Sequence, residues 1–396
     1  MLLVRDIDEL LTMDGPALRG GAVAFQGGRV VWTGPSAAAP DADEVLDGSG
    51  CIGLPGLVDC HTHALFAGSR AREFQRRLAG EDYSTILEEG GGILGTVRAT
   101  REATDEELAE SLEARLQDFL EQGVTTVEVK TGYALSTEHE LRCLRLMEQR
   151  SWPTRVLRTF LGAHTVPAEW RPDRAGYVRH LVEEMLPVVA EHAQFIDVYC
   201  DRGAFTLEMA RTVLSAGMAR GLKGRIHAEQ VEHTGSASLA AELGCTSADH
   251  LERISVEGIE AMAAAGTVAV LLPGARLYLR DPAPPVEAMR EAGVPLAVAT
   301  DFNPGTSPVR SLLGAATLAC VDMGLSVDEA LLGVTRNAGA ALGREDLGWL
   351  GPGSAGDMAL FSPPPGEPRD AAVLVQYLGG HRAAAVVRNG RVVWSS

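Results

Sequence analysis

The chain has 396 residues, of which 46% are apolar, and it carries a formal net charge of −18. This length allows one large core with a smaller satellite, or two domains. The acidic balance and the absence of a Lys/Arg cluster argue against nucleic acid as a partner. Since no apolar run approaches the roughly 18 residues of a membrane helix, we also expect no membrane partner.

The six cysteines are scattered along the chain without a Cys-x-x-Cys spacing. In a chain of this length, that distribution is typical of buried free thiols in a reducing compartment. The first residues lack the apolar segment and the small-residue cleavage site of a secretory signal peptide. We therefore expect the protein to be cytoplasmic.

Both ends of the chain carry a strand-turn-strand pattern. Residues 21–25 and 29–33 flank a Gly-Gly turn, and residues 384–388 and 391–394 flank an Asn-Gly turn. The segments GGRVVW and NGRVVW are similar, so we expect the two ends to pair. The prediction is a small, discontinuous β-sandwich domain formed by residues 1–55 and 346–396.

The intervening residues, 56–345, alternate strand and helix patterns. Predicted strands cover residues 56–60, 125–129, 156–161, 195–199, 224–226, 245–248, 268–272 and 296–299. Predicted helices include 105–121, with a capping box formed by Thr104 and Glu107, and also 207–219 and 327–342. Eight strands alternating with helices predict an α/β fold with a catalytic (β/α)8 TIM barrel, the alternative being a doubly wound open sheet.

Residues 90–95 formally match the dinucleotide-binding motif G-x-G-x-x-G. That motif must directly follow a strand, whereas residues 83–89 have the pattern of a helix or loop. We therefore interpret the segment as a mobile glycine loop and not as a cofactor site.

Histidine and aspartate residues occur at the ends of several predicted strands. His61 and His63 follow the first strand and, being two residues apart, share one face of it. In a barrel, the carboxyl ends of the strands meet on the active face. The residues that we expect to converge there are His61, His63, His164, His227, His250 and Asp301.

This arrangement of histidines on strands 1, 5 and 6 with an aspartate on strand 8 resembles the amidohydrolase superfamily. Within it, the chain is similar to the imidazolonepropionase family through the segments HTHALFAGSRAREFQRRLAGEDY, GGGILGTVRATR, VKTGYAL, TFLGAHTVP, HAEQ, SADHLE and ATDFNPGTSP. The resemblance implies hydrolysis of the cyclic amide C–N bond of 4-imidazolone-5-propanoate to N-formimidoyl-L-glutamate, the third step of histidine degradation. It also implies a homodimer.

The resemblance implies one metal ion, divalent Zn²⁺ or Fe²⁺ or, as an alternative, trivalent Fe³⁺, with the ligands His61, His63, His227 and Asp301. One ion is expected because strand 4 lacks the lysine that bridges two metals in other members. Asp301 would carry a proton from water to the leaving nitrogen, and His250 would orient the water or stabilise the oxyanion. Lys130, on strand 2, is interpreted as a structural ion-pair residue.

The resemblance also implies a set of substrate contacts. Arg70 would bind the propionate carboxylate. The other contacts implied are Tyr133, His164, Gln230, Asn303, Gly305 and Thr306. Amidohydrolases that deaminate rings carry Glu where this chain has Gln230, and an amide cannot carry a proton. The alternative function is another cyclic-amide hydrolase or a ring aminohydrolase; a non-catalytic scaffold is disfavoured because all four metal ligands are present.

Overall fold

The structure is a computed structural model that describes residues 1–81 and 91–396, and these residues form two eight-stranded sheets. The strands are β1 (Leu2–Leu10), β2 (Leu18–Gln26), β3 (Arg29–Pro35), β4 (Glu44–Asp47), β5 (Ile52–Pro55), β6 (Leu57–Asp59), β7 (Val124–Lys130), β8 (Arg155–Ala163), β9 (Phe195–Cys200), β10 (Lys223–Ala228), β11 (Ser247–His250), β12 (Val268–Leu271), β13 (Leu296–Val298), β14 (Met358–Phe361), β15 (Ala385–Arg388) and β16 (Arg391–Ser395).

Helices lie between most of these strands. They are α1 (Ala71–Leu78), α2 (Ile93–Glu102), α3 (Asp105–Glu121), α4 (Thr137–Gln149), α5 (Arg174–His180), α6 (Leu186–Val189), α7 (Leu207–Met218), α8 (Ser236–Leu243), α9 (Val256–Ala265), α10 (Pro273–Leu279), α11 (Val286–Glu291), α12 (Leu312–Met323), α13 (Val327–Gly333), α14 (Arg336–Ala341) and α15 (Ala372–Gln376). A π-helical segment, Leu181–Met185, joins α5 to α6.

The first sheet is mixed and draws its strands from both ends of the chain, in the order β16-β15-β14-β5-β1-β2-β3, with β4 beside β1. The first half of β1 pairs with β4 and the second half with β5. The two ends of the chain meet where β5 pairs with β14, and both predicted hairpins are present. Pairing of the two ends is therefore confirmed, and the domain boundaries at 55/56 and 345/346 stay a prediction.

The second sheet contains β6 to β13, all parallel and in chain order, so each of the eight predicted barrel strands is confirmed. The sheet closes on itself just beyond the ends of β6 and β13. The Asp301 amide donates to the His61 carbonyl (3.0 Å) and the His63 amide donates to the Phe302 carbonyl (2.9 Å). A closed cylinder with helices around it is the predicted barrel, and the open-sheet alternative is wrong.

Two of the three helices predicted at 105–121, 207–219 and 327–342 are confirmed. Helix α3 begins at the predicted capping box, and α7 matches the second segment. The helix predicted at 327–342 is wrong, because the chain forms two helices, α13 and α14, separated at Thr335 (φ −130°, ψ −98°). This break frees the Val334 carbonyl to accept a hydrogen bond from the Val58 amide of β6 (2.9 Å).

Three other predictions concern the whole chain or its glycine segment. All six cysteines are free, and five are buried, as their scatter predicts. Across the ranges 1–81 and 91–396 we found no helix with the length and hydropathy needed to span a membrane. Of the predicted glycine loop at 90–95, Gly90 lies outside the described residues, as do residues 83–89, and Ile93 already begins α2.

We predict that Thr104→Ala lowers the free energy of unfolding by about 1 kcal/mol. The Thr104 hydroxyl accepts from the Glu107 amide (3.2 Å), and the Glu107 carboxylate accepts from the Thr104 amide (2.8 Å). Urea unfolding monitored by circular dichroism measures the change. Thr104→Ser keeps the hydroxyl and is the control; equal destabilisation by both substitutions would contradict a capping role.

Candidate active site

Three histidines from two barrel strands bring their ring nitrogens together at the carboxyl end of the barrel. His61 and His63 follow β6, His227 lies in β10, and one ring nitrogen of each falls within 4.8 Å of the others. The Nε2 atoms of His63 and His227 are 3.4 Å apart. All three side chains are buried, and their closest ring nitrogens lie near one another at one point of the barrel.

The predicted fourth ligand, Asp301, lies beside this group. Its Oδ1 is 3.5 Å from Nε2 of His61 and 3.5 Å from Nε2 of His63. Asp301 has a positive φ of 50°, and His250 at the end of β11 has a φ of 82°. Non-glycine residues are strained in this region of backbone conformation, and such strain is concentrated at functional sites.

The donor set fits a divalent metal ion. His61 Nε2 is buried and has no hydrogen-bond partner among the described residues. Burial lowers the pKa of His61 and of His63 well below the ordinary value for histidine. Both imidazoles are therefore neutral, which is the form that binds a metal, and three imidazoles with one carboxylate suit zinc or iron.

Two buried aspartates hold two of these histidines from behind. Asp249 Oδ2 is 2.6 Å from Nδ1 of His61, and Asp197 Oδ1 is 3.1 Å from Nδ1 of His227. Carboxylates in this position orient the imidazole and direct its other nitrogen to the metal. We did not predict either aspartate from sequence. The sequence signal that could have identified them is an acidic residue within an apolar strand, because a buried carboxylate must have a polar or charged partner.

Each of these aspartates is paired with a buried cation. Arg225 Nη2 lies 2.8 Å from Asp249, and Lys130 Nζ lies 2.8 Å from Asp197. Burial alone would raise the pKa of Asp249, but the Arg225 guanidinium lowers it below the ordinary value. Burial would likewise raise the pKa of Asp197, but the nearby His227 and Lys130 lower it well below the ordinary value. Both aspartates are therefore ionised where they contact the Nδ1 atoms of His61 and His227.

Lys130 connects the two halves of the histidine cluster. Besides Asp197, its ammonium contacts Glu128 Oε1 (2.9 Å). Glu128 Oε2 accepts from the backbone amide of Thr62 (3.1 Å), the residue between His61 and His63. The interpretation of Lys130 as a structural ion-pair residue is consistent with these contacts. One buried ammonium thus joins the strand that carries His61 and His63 to the aspartate that holds His227.

A cavity of about 500 Å³ opens above the histidines. Its lining includes the predicted residues His63, Arg70, Tyr133, His164, His227, Gln230, His250, Asp301, Asn303 and Thr306. Gly305 instead borders a neighbouring depression beside Arg70. Arg77 and Tyr278 also line the cavity, and we did not predict them, because nothing in the sequence separates them from ordinary helix residues.

Two predicted substrate-contact residues pack against the histidine cluster. The His164 ring stacks on His63 with 4.8 Å between the ring centroids, and the Tyr133 ring lies 5.8 Å from His63. His164 Nδ1 lies 2.8 Å from the Gly132 carbonyl oxygen, so Nδ1 carries the proton and donates. Burial raises the pKa of Tyr133 above its ordinary value. Its hydroxyl therefore stays neutral and can donate to a ligand.

Just after β10, the side chains of Gln230 and Glu229 have different surroundings. Gln230 Oε1 accepts from the Tyr199 hydroxyl (3.1 Å), which leaves the amide nitrogen as a donor at the cavity. Glu229 is buried, and its carboxylate accepts from the amides of Gly235 (2.7 Å) and Thr234 (3.2 Å). Glu229 therefore stabilises the start of α8, whereas Gln230 lines the cavity.

Asn303 builds the loop that follows β13. Its Oδ1 accepts from the amides of Gly305 (2.9 Å) and Thr306 (2.7 Å), and its Nδ2 donates to the Asp301 carbonyl (2.7 Å). A Cβ at position 305 would come within 1.9 Å of Arg70 Nη1, so a larger residue there would displace the Arg70 guanidinium. The amide oxygen of Asn303 is thus committed to shaping the loop.

The sequence comparisons agree on one family. The profile described as "Amidohydrolase family" matches residues 71–394. The imidazolonepropionase of Polaromonas sp. (strain JS666) is 45% identical over 380 residues, covering 94% of this chain and 88% of the relative. That of Geobacillus kaustophilus (strain HTA426) is 42% identical over 418 residues, covering 99% and 97%.

Solved structures share the architecture. Atrazine chlorohydrolase from Arthrobacter aurescens TC1, complexed with zinc, superimposes with a TM-score of 0.71 at 20% identity, covering 100% of this chain and 95% of that chain. An adenosine deaminase from Xanthomonas campestris with bound zinc gives a TM-score of 0.71 at 18% identity, covering 99% and 92%. At such identities the similarity supports the fold alone.

We predict that Asp249→Asn weakens zinc binding about 10- to 100-fold, because the amide no longer holds His61 Nδ1 as a charged acceptor. Competition with a chromophoric chelator measures the affinity, and circular dichroism checks that the variant is folded. Glu242→Gln, which neutralises an exposed acid paired with Arg211 (2.6 Å), is the control. An Asp249→Asn protein with the affinity of the wild type would contradict the orienting role.

Proposed function

The chain belongs to the amidohydrolase family and, within it, to the imidazolonepropionases, and from this we propose that it converts 4-imidazolone-5-propanoate to N-formimidoyl-L-glutamate. The observation that carries the proposal is the group of three neutral histidines and Asp301 at the floor of a cavity lined by arginine and tyrosine. The reaction is hydrolysis of the ring amide in the third step of histidine degradation.

The proposed metal ligands are His61, His63, His227 and Asp301. A divalent ion held by them would polarise the ring carbonyl and lower the pKa of a bound water toward about 7. The donor set accepts zinc and iron alike, and we keep both as candidates. Asp249 and Asp197 would hold the rings of His61 and His227 while the substrate enters and the product leaves.

In the proposed reaction, the oxygen of water bonds to the ring carbonyl carbon, and the bond from that carbon to the ring nitrogen breaks. Asp301 accepts a proton from the attacking water and passes it to the leaving nitrogen. His250 lines the same cavity, with its ring 5.5 Å from that of His227. From this position it would orient the water or stabilise the charge that develops on the carbonyl oxygen.

Substrate recognition would use the donors above the metal ligands. Arginine at the cavity wall suits the propanoate carboxylate, and Tyr133, His164 and Gln230 offer neutral donors and acceptors to the ring. The amide of Gln230 cannot carry a proton, which favours amide hydrolysis over ring deamination. A homodimer and a cytoplasmic location stay predictions that accompany this proposal.

The direct test is loss of imidazolone absorbance when freshly made substrate is mixed with protein loaded with zinc or iron. We expect turnover by the loaded protein, loss of turnover after treatment with a chelator, and recovery when the metal is restored, because water activation depends on the ion. Comparing the two metals at equal stoichiometry identifies the one that supports the higher rate. Folded, metal-loaded protein that leaves the absorbance unchanged would refute the proposed function.

A further inference from the structure

The chain makes a strained turn where β11 ends. His250 and Leu251 have φ values of 82° and 74°, a left-handed conformation that is unfavourable for residues other than glycine. The end of β10 holds this turn. The Leu251 amide donates to the Ala228 carbonyl (3.0 Å), and the Arg253 amide donates to the Glu229 carbonyl (2.8 Å). The backbone after β11 is therefore fixed by the neighbouring strand in a conformation that it would not adopt alone.

This turn brings the side chains of His250 and Glu252 together in the interior. Both residues are buried, and Nδ1 of His250 lies 3.9 Å from Oε1 of Glu252. Neither that nitrogen nor either carboxylate oxygen of Glu252 has a hydrogen-bond partner within residues 1–81 and 91–396. A buried donor and a buried acceptor without partners are both costly, and here each group is the partner that the other lacks.

The other groups around Glu252 do not offer its carboxylate a hydrogen bond. In the described part of the chain, His250 is the only basic side chain in ion-pair contact with it. The nearby Asp281 carboxylate repels it, since the two groups carry like charges. The charge of Glu252 also reaches the Tyr199 hydroxyl, but that hydroxyl donates to Gln230 (3.1 Å). The imidazole of His250 is therefore the donor available to Glu252.

The two residues differ in their position relative to the cavity. His250 lines it, whereas Glu252 lies behind the His250 ring and outside the cavity lining. A carboxylate that accepts from Nδ1 of an imidazole fixes the orientation of the ring and leaves Nε2 as the nitrogen that faces the reacting atoms. The negative charge also stabilises the positive charge that the ring gains when it takes up a proton.

We propose that Glu252 is a positioning residue of the active site, which accepts a hydrogen bond from Nδ1 of His250 and directs Nε2 of that ring toward the reacting carbonyl group. This inference rests on the proposed function and adds to it a residue that does not touch the substrate. The separation of 3.9 Å must shorten by about 1 Å to form the hydrogen bond. Catalytic hydrogen bonds commonly tighten in this way when substrate binds.

The test measures kcat and KM of the metal-loaded enzyme for 4-imidazolone-5-propanoate. In Glu252→Gln we expect kcat to fall about 10- to 100-fold with KM nearly unchanged, because the residue acts on the transition state through His250 and not on substrate binding. Glu252→Asp keeps the negative charge and should recover part of the lost kcat. Glu260→Gln, which neutralises an exposed acid on α9, should match the wild type. Circular dichroism and metal content establish that each variant is folded and loaded.

A double-mutant cycle separates a positioning role from an independent one. If Glu252 acts through His250, adding Glu252→Gln to a His250→Asn enzyme leaves kcat at the value of His250→Asn alone. Two substitutions whose effects on kcat multiply would show that Glu252 acts independently of His250. That result, or a folded and loaded Glu252→Gln enzyme with the kcat of the wild type, overturns this inference and leaves the proposed function standing.

Nuclear magnetic resonance of the metal-loaded protein with ¹⁵N-labelled histidine gives a second readout that does not depend on turnover. The signals of His250 are identified by their loss in His250→Asn. We expect Nδ1 of His250 to carry a proton in the wild type, and its resonance to shift in Glu252→Gln but not in Glu260→Gln. A wild type that turns over no substrate refutes the proposed function. The spectra then decide the positioning role alone, and an unprotonated Nδ1 overturns it.

Discussion

The site depends on keeping buried imidazoles neutral and turned toward one another. His61 and His227 can hold this orientation because Asp249 and Asp197 accept from their outer nitrogens. A buried carboxylate is costly unless a cation accompanies it, and Arg225 and Lys130 fulfil this requirement. The proposed metal ligands are therefore supported by fully buried charges within the barrel.

Barrel closure and site assembly involve the same segments of backbone. The His61 carbonyl and the His63 amide bond to the chain at Asp301 and Phe302, which joins the first and last strands of the cylinder. A shift in that closure would move three of the four proposed ligands together. The segment after β6 carries His61, His63 and Arg70, so it contributes both to the proposed metal site and to the proposed recognition of the carboxylate.

Sequence predicted the features that follow from local pattern. Apolar segments located the barrel strands, and the rule that reactive residues lie at strand ends brought His61, His227 and Asp301 together. It failed where local pattern does not show the end of a helix: the helix predicted at 327–342 is broken at Thr335, and the freed Val334 carbonyl accepts from the Val58 amide of β6. The roles of Asp197 and Asp249 in holding the histidines were not predicted, because the histidines that they contact are distant in sequence. Arg77 resembles any helix-surface arginine until α1 is placed against the cavity.

The central claim is that a ring amide is cleaved by water, and isotope labelling of the product tests it most directly. Metal-loaded enzyme is incubated with 4-imidazolone-5-propanoate in H₂¹⁸O, and the product is analysed by mass spectrometry. We expect N-formimidoyl-L-glutamate with a single ¹⁸O in the newly formed carboxylate, since water oxygen becomes bonded to the former ring carbonyl carbon. A product that retains the ring and releases ammonia, or unchanged substrate, would contradict the account.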